Sequence, residues 1–269
     1  MFHNILVGTD GSDTARLAVE HAVHLAGLLD AQVTVVSAHP PDGRAVALAL
    51  LRDVEAVHGA RARLSTGAVE GPAAEALVSL AVEGGFDLVV VGNRGMDRAA
   101  WIPGASIPER VSNRASGSVL IVDTMHGQEP GWSRVLVATD GTPSAQAGVG
   151  VAHHLSGLVG AEMTVATVNA GRRTGGRILH PLLRRFPGAS GVVLPGSPTN
   201  ALCDLAESRS YDLVVLGSRG MAGPRRPWGS LPVRVAHRAR TSVLIVQSAG
   251  HRRAGPRPGK GAAHGERRG

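Results

Sequence analysis

Several residue types are scarce in this chain of 269 residues, and each scarcity excludes a class of protein. A single cysteine, Cys203, excludes an internal disulfide framework and a cysteine-rich metal site. Its position in a helical pattern favours a buried side chain over a nucleophile. No apolar run reaches the roughly 18 residues that a membrane helix requires, and no basic segment followed by a long apolar run opens the chain. We therefore expect a cytoplasmic protein without a membrane partner.

Lysine is almost absent, since Lys260 is the single lysine among 28 basic residues. The net charge is +7, but residues 250–269 carry six basic residues against one acidic residue. This segment of Gly, Pro, Ala and Arg cannot form a core, so residues 249–269 are predicted to be a disordered basic tail. The rest of the chain lacks a basic stripe interleaved with aromatic residues. We do not expect nucleic-acid binding; an arm at 250–269 is the alternative, and its deletion would test it.

The common catalytic motifs are also missing. The chain has no G-x-S-x-G elbow, no H-E-x-x-H and no Walker G-x-x-x-x-G-K-[ST] with its phosphate-binding lysine. Rapid ATP hydrolysis needs that lysine and a base, so we predict no catalytic residue and at most slow hydrolysis. His21 and His24, and the pair His153 and His154, lack a second cluster that would complete a ligand set. We predict no metal site and place these histidines on exposed helix faces.

A long internal repeat dominates what the sequence does contain. Residues 5–12, ILVGTDGS, return as VLVATDGT at 135–142, and residues 86–96, FDLVVVGNRGM, return as YDLVVLGSRGM at 211–221. A repeat of this length means two whole domains rather than a short solenoid unit. The predicted boundaries are 1–124 for the first domain, 125–131 for a linker, 132–248 for the second domain and 249–269 for the tail.

Each half alternates short β-branched runs with helical patterns, which is typical of βα units in a parallel sheet. Runs such as Leu88–Val91 are apolar at every position, so helices should cover both faces of the sheet. The predicted strands are 3–8, 32–38, 61–66, 87–91, 118–122, 133–138, 162–168, 190–194, 212–216 and 242–247.

The predicted helices of the first half begin at the N-cap Ser12 and then span 45–59, 72–83 and 106–115. In the second half, helices are expected to start near Gly176, Pro198 and Ser230. The first of these three is expected to be short, at 177–185.

Three elements should converge at the carboxyl ends of the strands, where open α/β sheets bind ligands. The first is the acidic residue after strand one, Asp10 or Asp140, which could accept hydrogen bonds from ribose hydroxyls or help hold a cation through water. An Asx turn that starts the next helix explains it equally well.

The other two elements are glycine loops and serines. The loops 92–95 and 217–220 could bring backbone amides close to a phosphate, aided by positive φ. Ser106 and Ser230 precede helical patterns, where a hydroxyl and helix N-terminal amides could receive an anion. Simple N-capping is compatible with that role.

At these residues the chain resembles the universal stress protein family, as a tandem pair spanning residues 3–247. Nucleotide-binding members show G-x2-G-x9-G-[ST] after strand four and an Asp at the end of strand one. Asp10, Gly92, Gly95 and Ser106 match in the first half. The residues that match in the second half are Asp140, Gly217, Gly220, Gly229 and Ser230.

The resemblance implies two Rossmann-like, adenine nucleotide α-hydrolase-like domains, each a five-stranded parallel sheet of order 3-2-1-4-5 with helices on both faces. It implies ATP as the ligand, with Mg²⁺ as an accompanying ion. Adenine is expected near the ends of strands one and two, and the phosphates in the glycine loop. The implied binding residues are Thr9, Asp10, Ala38, Gly92, Arg94, Gly95, Ala105, Ser106, Ile107, Thr139, Asp140, Val168, Gly217, Arg219, Gly220, Gly229, Ser230 and Leu231.

Each half departs from the family pattern once. Ala105 replaces the glycine before Ser106, and only eight residues separate Gly220 from Gly229, in a loop that contains Pro224 and Pro227. Arg225 and Arg226 of that loop could reach phosphates. The expectation is a nucleotide-dependent stress-response regulator, and the departures make an interaction module without nucleotide the main alternative.

Two further expectations concern other functions and assembly. An enzyme on the same architecture, such as an adenylyl transferase or an electron-transfer flavoprotein subunit, is disfavoured because the sequence lacks an H-x-G-H type signature and room for a substrate lobe. The family resemblance implies that the fifth strands, near 119–122 and 243–246, pair within the chain as a pseudo-dimer. Pairing of two chains and an unidentified protein partner are left open.

Overall fold

The computed structural model describes residues 1–93, 106–124, 129–168, 171–218 and 230–247. The expectations for the tail and for six binding residues lie outside this described part. These residues are Arg94, Gly95, Ala105, Arg219, Gly220 and Gly229.

Described residues form ten strands and eight α-helices in βα alternation. The elements of the first half are β1 (Asn4–Gly8), α1 (Asp13–Leu29), β2 (Gln32–His39), α2 (Arg44–His58), β3 (Arg63–Glu70), α3 (Ala73–Glu83), β4 (Leu88–Gly92), α4 (Ile107–Arg114) and β5 (Ser118–Val122). Those of the second half are β6 (Arg134–Ala138), α5 (Pro143–Val159), β7 (Glu162–Val168), α6 (Gly171–Arg185), β8 (Ser190–Leu194), α7 (Pro198–Ser208), β9 (Leu213–Gly217), α8 (Leu231–Arg238) and β10 (Ser242–Val246).

All ten strands belong to one sheet, in the order β3-β2-β1-β4-β5-β10-β9-β6-β7-β8. Within each half the strands are parallel and follow the order 3-2-1-4-5. This confirms the α/β fold class expected from the sequence.

The two halves join where β5 and β10 pair antiparallel, as the family resemblance implies. Both strands have the sequence SVLIV, and Leu120 lies opposite Leu244 at the centre of the pairing. The Ser242 hydroxyl accepts a hydrogen bond from the Asp123 amide, and the Ser118 hydroxyl accepts one from the Gln247 amide. The junction therefore has local pseudo-two-fold symmetry, because two strands of identical sequence pair in opposite directions. Pairing also covers two edges that would otherwise be open.

Helices cover both faces of the sheet. Helices α1, α2, α5 and α6 pack on one face, where side chains such as Ile5, Leu51 and Leu155 form the core. Helices α3, α4, α7 and α8 pack on the other, around side chains such as Leu6 and Val235. The run Leu88–Val91 contributes alternate residues to the two cores, so a strand that is apolar throughout is buried on both sides.

Three local expectations were wrong. Helix α6 begins at Gly171 rather than near Gly176. The glycine at position 175 is compatible with a helix that lies close to the sheet, since a Cβ there would lie 2.6 Å from Val193 Cγ2. Strand β3 continues to Glu70 rather than 66, because β2 offers it partners in register up to His39. His21 is buried in the core side of α1 rather than exposed. Cys203 is buried, as expected.

Among the described residues, no helix is both long and apolar enough to cross a membrane.

Candidate functional site

The loops after β1 and β6 have the same hydrogen-bonded geometry. Oδ1 of Asp10 accepts bonds from the amide and hydroxyl of Ser12, at 3.0 and 2.6 Å. Oδ1 of Asp140 accepts the same pair from Thr142, at 2.9 and 2.6 Å. Both aspartates are exposed and both form the Asx turn that the sequence offered as an alternative role. The turn uses only one oxygen, and Oδ2 of Asp140 has no hydrogen-bond partner among the described residues.

Neighbouring residues hold each turn in place. The hydroxyls of Thr9 and Thr139 accept a hydrogen bond from the amide of the glycine two residues later. Those glycines, Gly11 and Gly141, have φ of +80° and +82°, which favours glycine over any other residue. Thr9 and Thr139 are themselves buried. The threonines therefore hold the loop from its buried side, while the aspartates lie on its exposed side.

A cavity of about 120 Å³ lies at the carboxyl ends of the strands of the second half. Five of the residues expected at a nucleotide site line it. They are Thr139, Asp140, Val168, Gly217 and Leu231. The parallel strands β6, β7 and β9 and the start of α8 thus bring residues far apart in sequence to one place. The volume is below the ~300–1,000 Å³ of typical small-molecule sites, so it accommodates part of a nucleotide rather than a whole ATP.

Sequence reasoning missed other residues of this cavity, including Ala138, Pro198 and Leu202. Their apolar side chains gave no chemical signal. Ala138 could have been found from its position directly before Thr139 and Asp140. Pro198 and Leu202 lie on α7, and the wall that they form depends on how that helix packs across the sheet.

The structure shows what surrounds Gly92 and Gly217, whereas their expected contact with a phosphate stays a prediction. Neither has a positive φ, so backbone freedom does not explain them. At Gly217 a Cβ would lie 2.6 Å from the carbonyl oxygen of Ser144, in the first turn of α5. At Gly92 the nearest atoms are 3.3 Å away, on Thr124, and 3.4 Å away, on Thr14. Gly217 is required for close packing of α5 on β9, and Gly92 is under a weaker constraint.

The two serines at the helix starts differ as well. Ser106 is the N-cap of α4; its hydroxyl accepts from the Glu109 amide at 3.4 Å and donates to Oε2 of Glu109 at the same distance. Ser230 is the N-cap of α8 but its side chain makes no cap bond. The Ser230 hydroxyl is buried, with 5% of the residue exposed, and has no hydrogen-bond partner among the described residues. An unsatisfied buried hydroxyl costs free energy unless a ligand or water satisfies it.

In the first half, further expected residues occupy equivalent places. Ala38 lies one residue before the end of β2 and is half-buried, as is Val168 in β7. Ile107 begins α4 as Leu231 begins α8. The space above Gly8 is filled by Leu77, since a Cβ at position 8 would lie 2.6 Å from its Cδ1. In the second half the equivalent of Gly8 is Ala138.

The loop after β4 begins with a hydrogen-bonded residue that the sequence did not single out. Nδ2 of Asn93 donates to Oδ1 of Asp123 at 2.9 Å, and Oδ1 of Asn93 accepts from the amide and hydroxyl of Thr124. These bonds attach Asn93, the residue after the first glycine of the loop, to the two residues that follow β5. The only sequence signal was the polar pair Asp123-Thr124 directly after an apolar strand.

A second cavity, of about 570 Å³, lies beside the C-terminal ends of α1 and α2, and Glu20, His24, His58 and Arg61 contribute to its lining. Burial lowers the pKa of His24 below the usual histidine value. Burial also lowers the pKa of His58, with the Arg61 charge adding to the effect and Glu20 opposing it. Within the described ranges, no group of three or more His, Cys, Asp or Glu side chains is arranged to hold a metal ion.

Each half of the sheet is Rossmann-like, and each has an Asx-turn aspartate and a serine at the N-cap of a helix near the strand ends. These features define a class of α/β proteins whose ligand sites lie at those ends. The chain belongs to the universal stress protein family, whose sequence profile matches residues 1–123 and 181–247.

Two curated relatives from Mycobacterium tuberculosis, the universal stress proteins Rv1636 and MT1672, are each 37% identical to this chain over 143 residues. Each match covers 46% of this chain and 97% of the relative. A universal stress protein from Archaeoglobus fulgidus shares the fold over 91% of this chain and 96% of its own length, with a TM-score of 0.76 at 18% identity. The tandem arrangement thus agrees with matches in both halves of the chain.

Proposed function

We propose that this protein is a stress-response regulator that binds an adenine nucleotide, ATP with Mg²⁺, at the carboxyl ends of its parallel strands. The observation that carries the proposal is the cavity of the second half, which collects Thr139, Asp140, Val168, Gly217 and Leu231. These five residues, which the family resemblance implies for nucleotide binding, line one cavity at the carboxyl ends of the strands, where open α/β sheets bind ligands.

Each wall of that cavity suits one part of a nucleotide. Oδ2 of Asp140 is available to accept a hydrogen bond from a ribose hydroxyl, because the Asx turn uses Oδ1. Val168 offers an apolar surface to the base. The Ser230 hydroxyl is buried at the start of α8 without a partner in the described part of the chain, and it would donate to a phosphate oxygen beside the helix amides. Binding would thereby give this hydroxyl the partner that the described residues do not supply.

Rapid turnover does not form part of this proposal. The chain has a single lysine, Lys260, far from the strand ends in sequence, and no Walker motif. Fast phosphoryl transfer depends on positive charge around the γ-phosphate and on a group that orients the nucleophile. We therefore propose that nucleotide occupancy, with at most slow hydrolysis, is the signal that partners read.

Isothermal titration with ATP and Mg²⁺ tests the proposal, using Asp140→Asn with Asp10→Asn as the matched variant. Asparagine keeps the Oδ1 acceptor of the Asx turn, so the loop is preserved while the charged acceptor is lost. We expect Asp140→Asn to remove the binding event of the second half, and Asp10→Asn to remove only binding by the first half. Absence of heat and of any thermal shift in nucleotide-free wild-type protein would refute nucleotide binding.

The small volume of the cavity favours one second candidate, an interaction module that has lost its nucleotide. The same titration decides between them. A protein of this kind would keep its fold and melting temperature unchanged at any ATP concentration, because only a ligand that binds the folded state raises its stability.

A further inference from the structure

One buried carboxylate lies between the candidate site of the first half and a helix of the second half. Oε2 of Glu109 accepts a hydrogen bond from the Ser106 hydroxyl at 3.4 Å. Oε1 of the same side chain lies 3.5 Å from Nε2 of His237, in α8. Glu109 is 3% exposed and the His237 side chain is 15% exposed. A carboxylate this deeply buried is costly to leave unpaired, so its neighbours fix its position.

A second set of contacts also connects the first-half site to the second half, through β10 instead of α8. Asn93, at the start of the first-half glycine loop, donates to Asp123 at 2.9 Å. The Asp123 amide in turn donates to the Ser242 hydroxyl of β10 at 3.1 Å. Asp123 and Ser242 are both buried. The phosphate end of the first-half site is therefore attached to the second half at two points, once through a helix and once through a strand.

The helix contact has no counterpart in the opposite direction. Counting from the N-caps Ser106 and Ser230, the position of Glu109 is taken in α8 by Val233, and the position of His237 is taken in α4 by Asn113. Valine offers no charge or hydrogen bond to Asn113. The pseudo-two-fold symmetry of the β5–β10 junction is thus broken at this pair of helix positions.

We propose that the second half completes the candidate nucleotide site of the first half, with His237 as a positioning residue that acts through Glu109 on Ser106. This inference rests on the proposed function. His237 holds the carboxylate in the orientation in which it accepts the Ser106 hydroxyl bond, and so sets where that hydroxyl meets a phosphate. The first half then binds nucleotide well only when α8 is in place.

The experiment measures ATP and Mg²⁺ binding by the first half alone, in full-length protein carrying Asp140→Asn. We expect His237→Ala to weaken this binding about tenfold, because it takes away the polar neighbour that lies 3.5 Å from Oε1 of the buried Glu109 carboxylate. His237→Gln, which keeps a polar side-chain group that can donate to Glu109, should recover most of the affinity. Asn113→Ala is the matched control at the equivalent position of α4, and it should leave the affinity unchanged.

A double-mutant cycle shows whether His237 acts through Glu109. Once Glu109→Gln is present, His237→Ala should cost little further affinity, because the two substitutions break one interaction. Melting temperatures without nucleotide separate this effect from a loss of fold. ATP binding by the second half, measured with Asp10→Asn, should be unaffected by His237→Ala.

Several results would overturn the inference. These are an unchanged first-half affinity in His237→Ala, an equal loss in both halves, a failure of His237→Gln to recover binding, or additive effects of His237→Ala and Glu109→Gln. If the Asp140→Asn protein shows no binding by its first half, the inference is also overturned. Binding by the second half in the Asp10→Asn protein would in that case still support the proposed function. Absence of binding in both single-site proteins fails the proposed function itself.

Discussion

The repeat supplies two equivalent glycines whose replacement by alanine should have unequal costs. A Cβ at position 217 would lie 2.6 Å from the Ser144 carbonyl oxygen, 2.8 Å from its carbon and 2.9 Å from the Ala145 amide nitrogen. All three atoms belong to the backbone of α5, which cannot move aside as a flexible side chain does. At position 92 the closest atoms lie 3.3 and 3.4 Å away, so a shift of a few tenths of an ångström is enough.

The expected magnitude follows from overpacking. Neither glycine has a positive φ, so alanine meets no backbone strain at either position. Overpacking a well-packed contact costs about 1–3 kcal/mol, and Gly217→Ala belongs in that range because α5 must move away from β9. Gly92→Ala should cost less than about 1 kcal/mol, since the Thr124 methyl is the main atom that must yield.

Urea unfolding followed by far-ultraviolet circular dichroism measures both variants against the wild type. We expect a lower midpoint for Gly217→Ala and a nearly unchanged midpoint for Gly92→Ala, with the same slope m in each. Equal destabilisation of the two variants, or a Gly217→Ala protein as stable as wild type, would refute the packing argument. Loss of nucleotide binding in Gly217→Ala would accordingly need this stability measurement before it is assigned to the phosphate site.

Three other predictions concern stability. Burial lowers the pKa of His24 and His58, so the unfolded chain binds more protons than the folded protein as the pH falls through about 6.5, the ordinary histidine value. The melting temperature should therefore fall over that range, and His58→Phe, which removes one of the two titrating groups, should flatten the curve. A pH profile identical to wild type in His58→Phe would contradict this. Leu120→Ala should lower the free energy of unfolding in urea by about 2–5 kcal/mol, because Leu120 is fully buried at the β5–β10 junction. The control Leu48→Ala, at an exposed leucine, should lower it far less, and similar losses in the two variants would count against a packed junction. Thr142→Ala should cost about 1 kcal/mol by removing the N-cap of α5, and Thr142→Ser should restore it; a neutral Thr142→Ala would show that the cap is dispensable.

Much of the fold could be predicted from the sequence because its signals are local. Ser12 and Ser106 are N-caps where a serine precedes an apolar helical pattern, and their capping bonds involve residues three positions away. Strands such as Leu88–Gly92 are apolar at successive positions because both faces are covered. The repeated motifs placed Thr139, Asp140 and Gly217 at one end of the sheet, since parallel strands of a βα unit all end at the same edge.

The tertiary structure alone decided features that depend on residues distant in sequence. The sequence predicted a helix start near Gly176, yet α6 begins at Gly171, and Gly175 lies within it where a Cβ would meet Val193. The role of Gly217 depends on Ser144, which lies 73 positions earlier in the chain. The unsatisfied hydroxyl of Ser230 and the contact of Glu109 with His237 follow from how α4 and α8 are buried. Periodicity and capping act within one turn or one strand, whereas close approach and burial are set by whichever residues the sheet brings together.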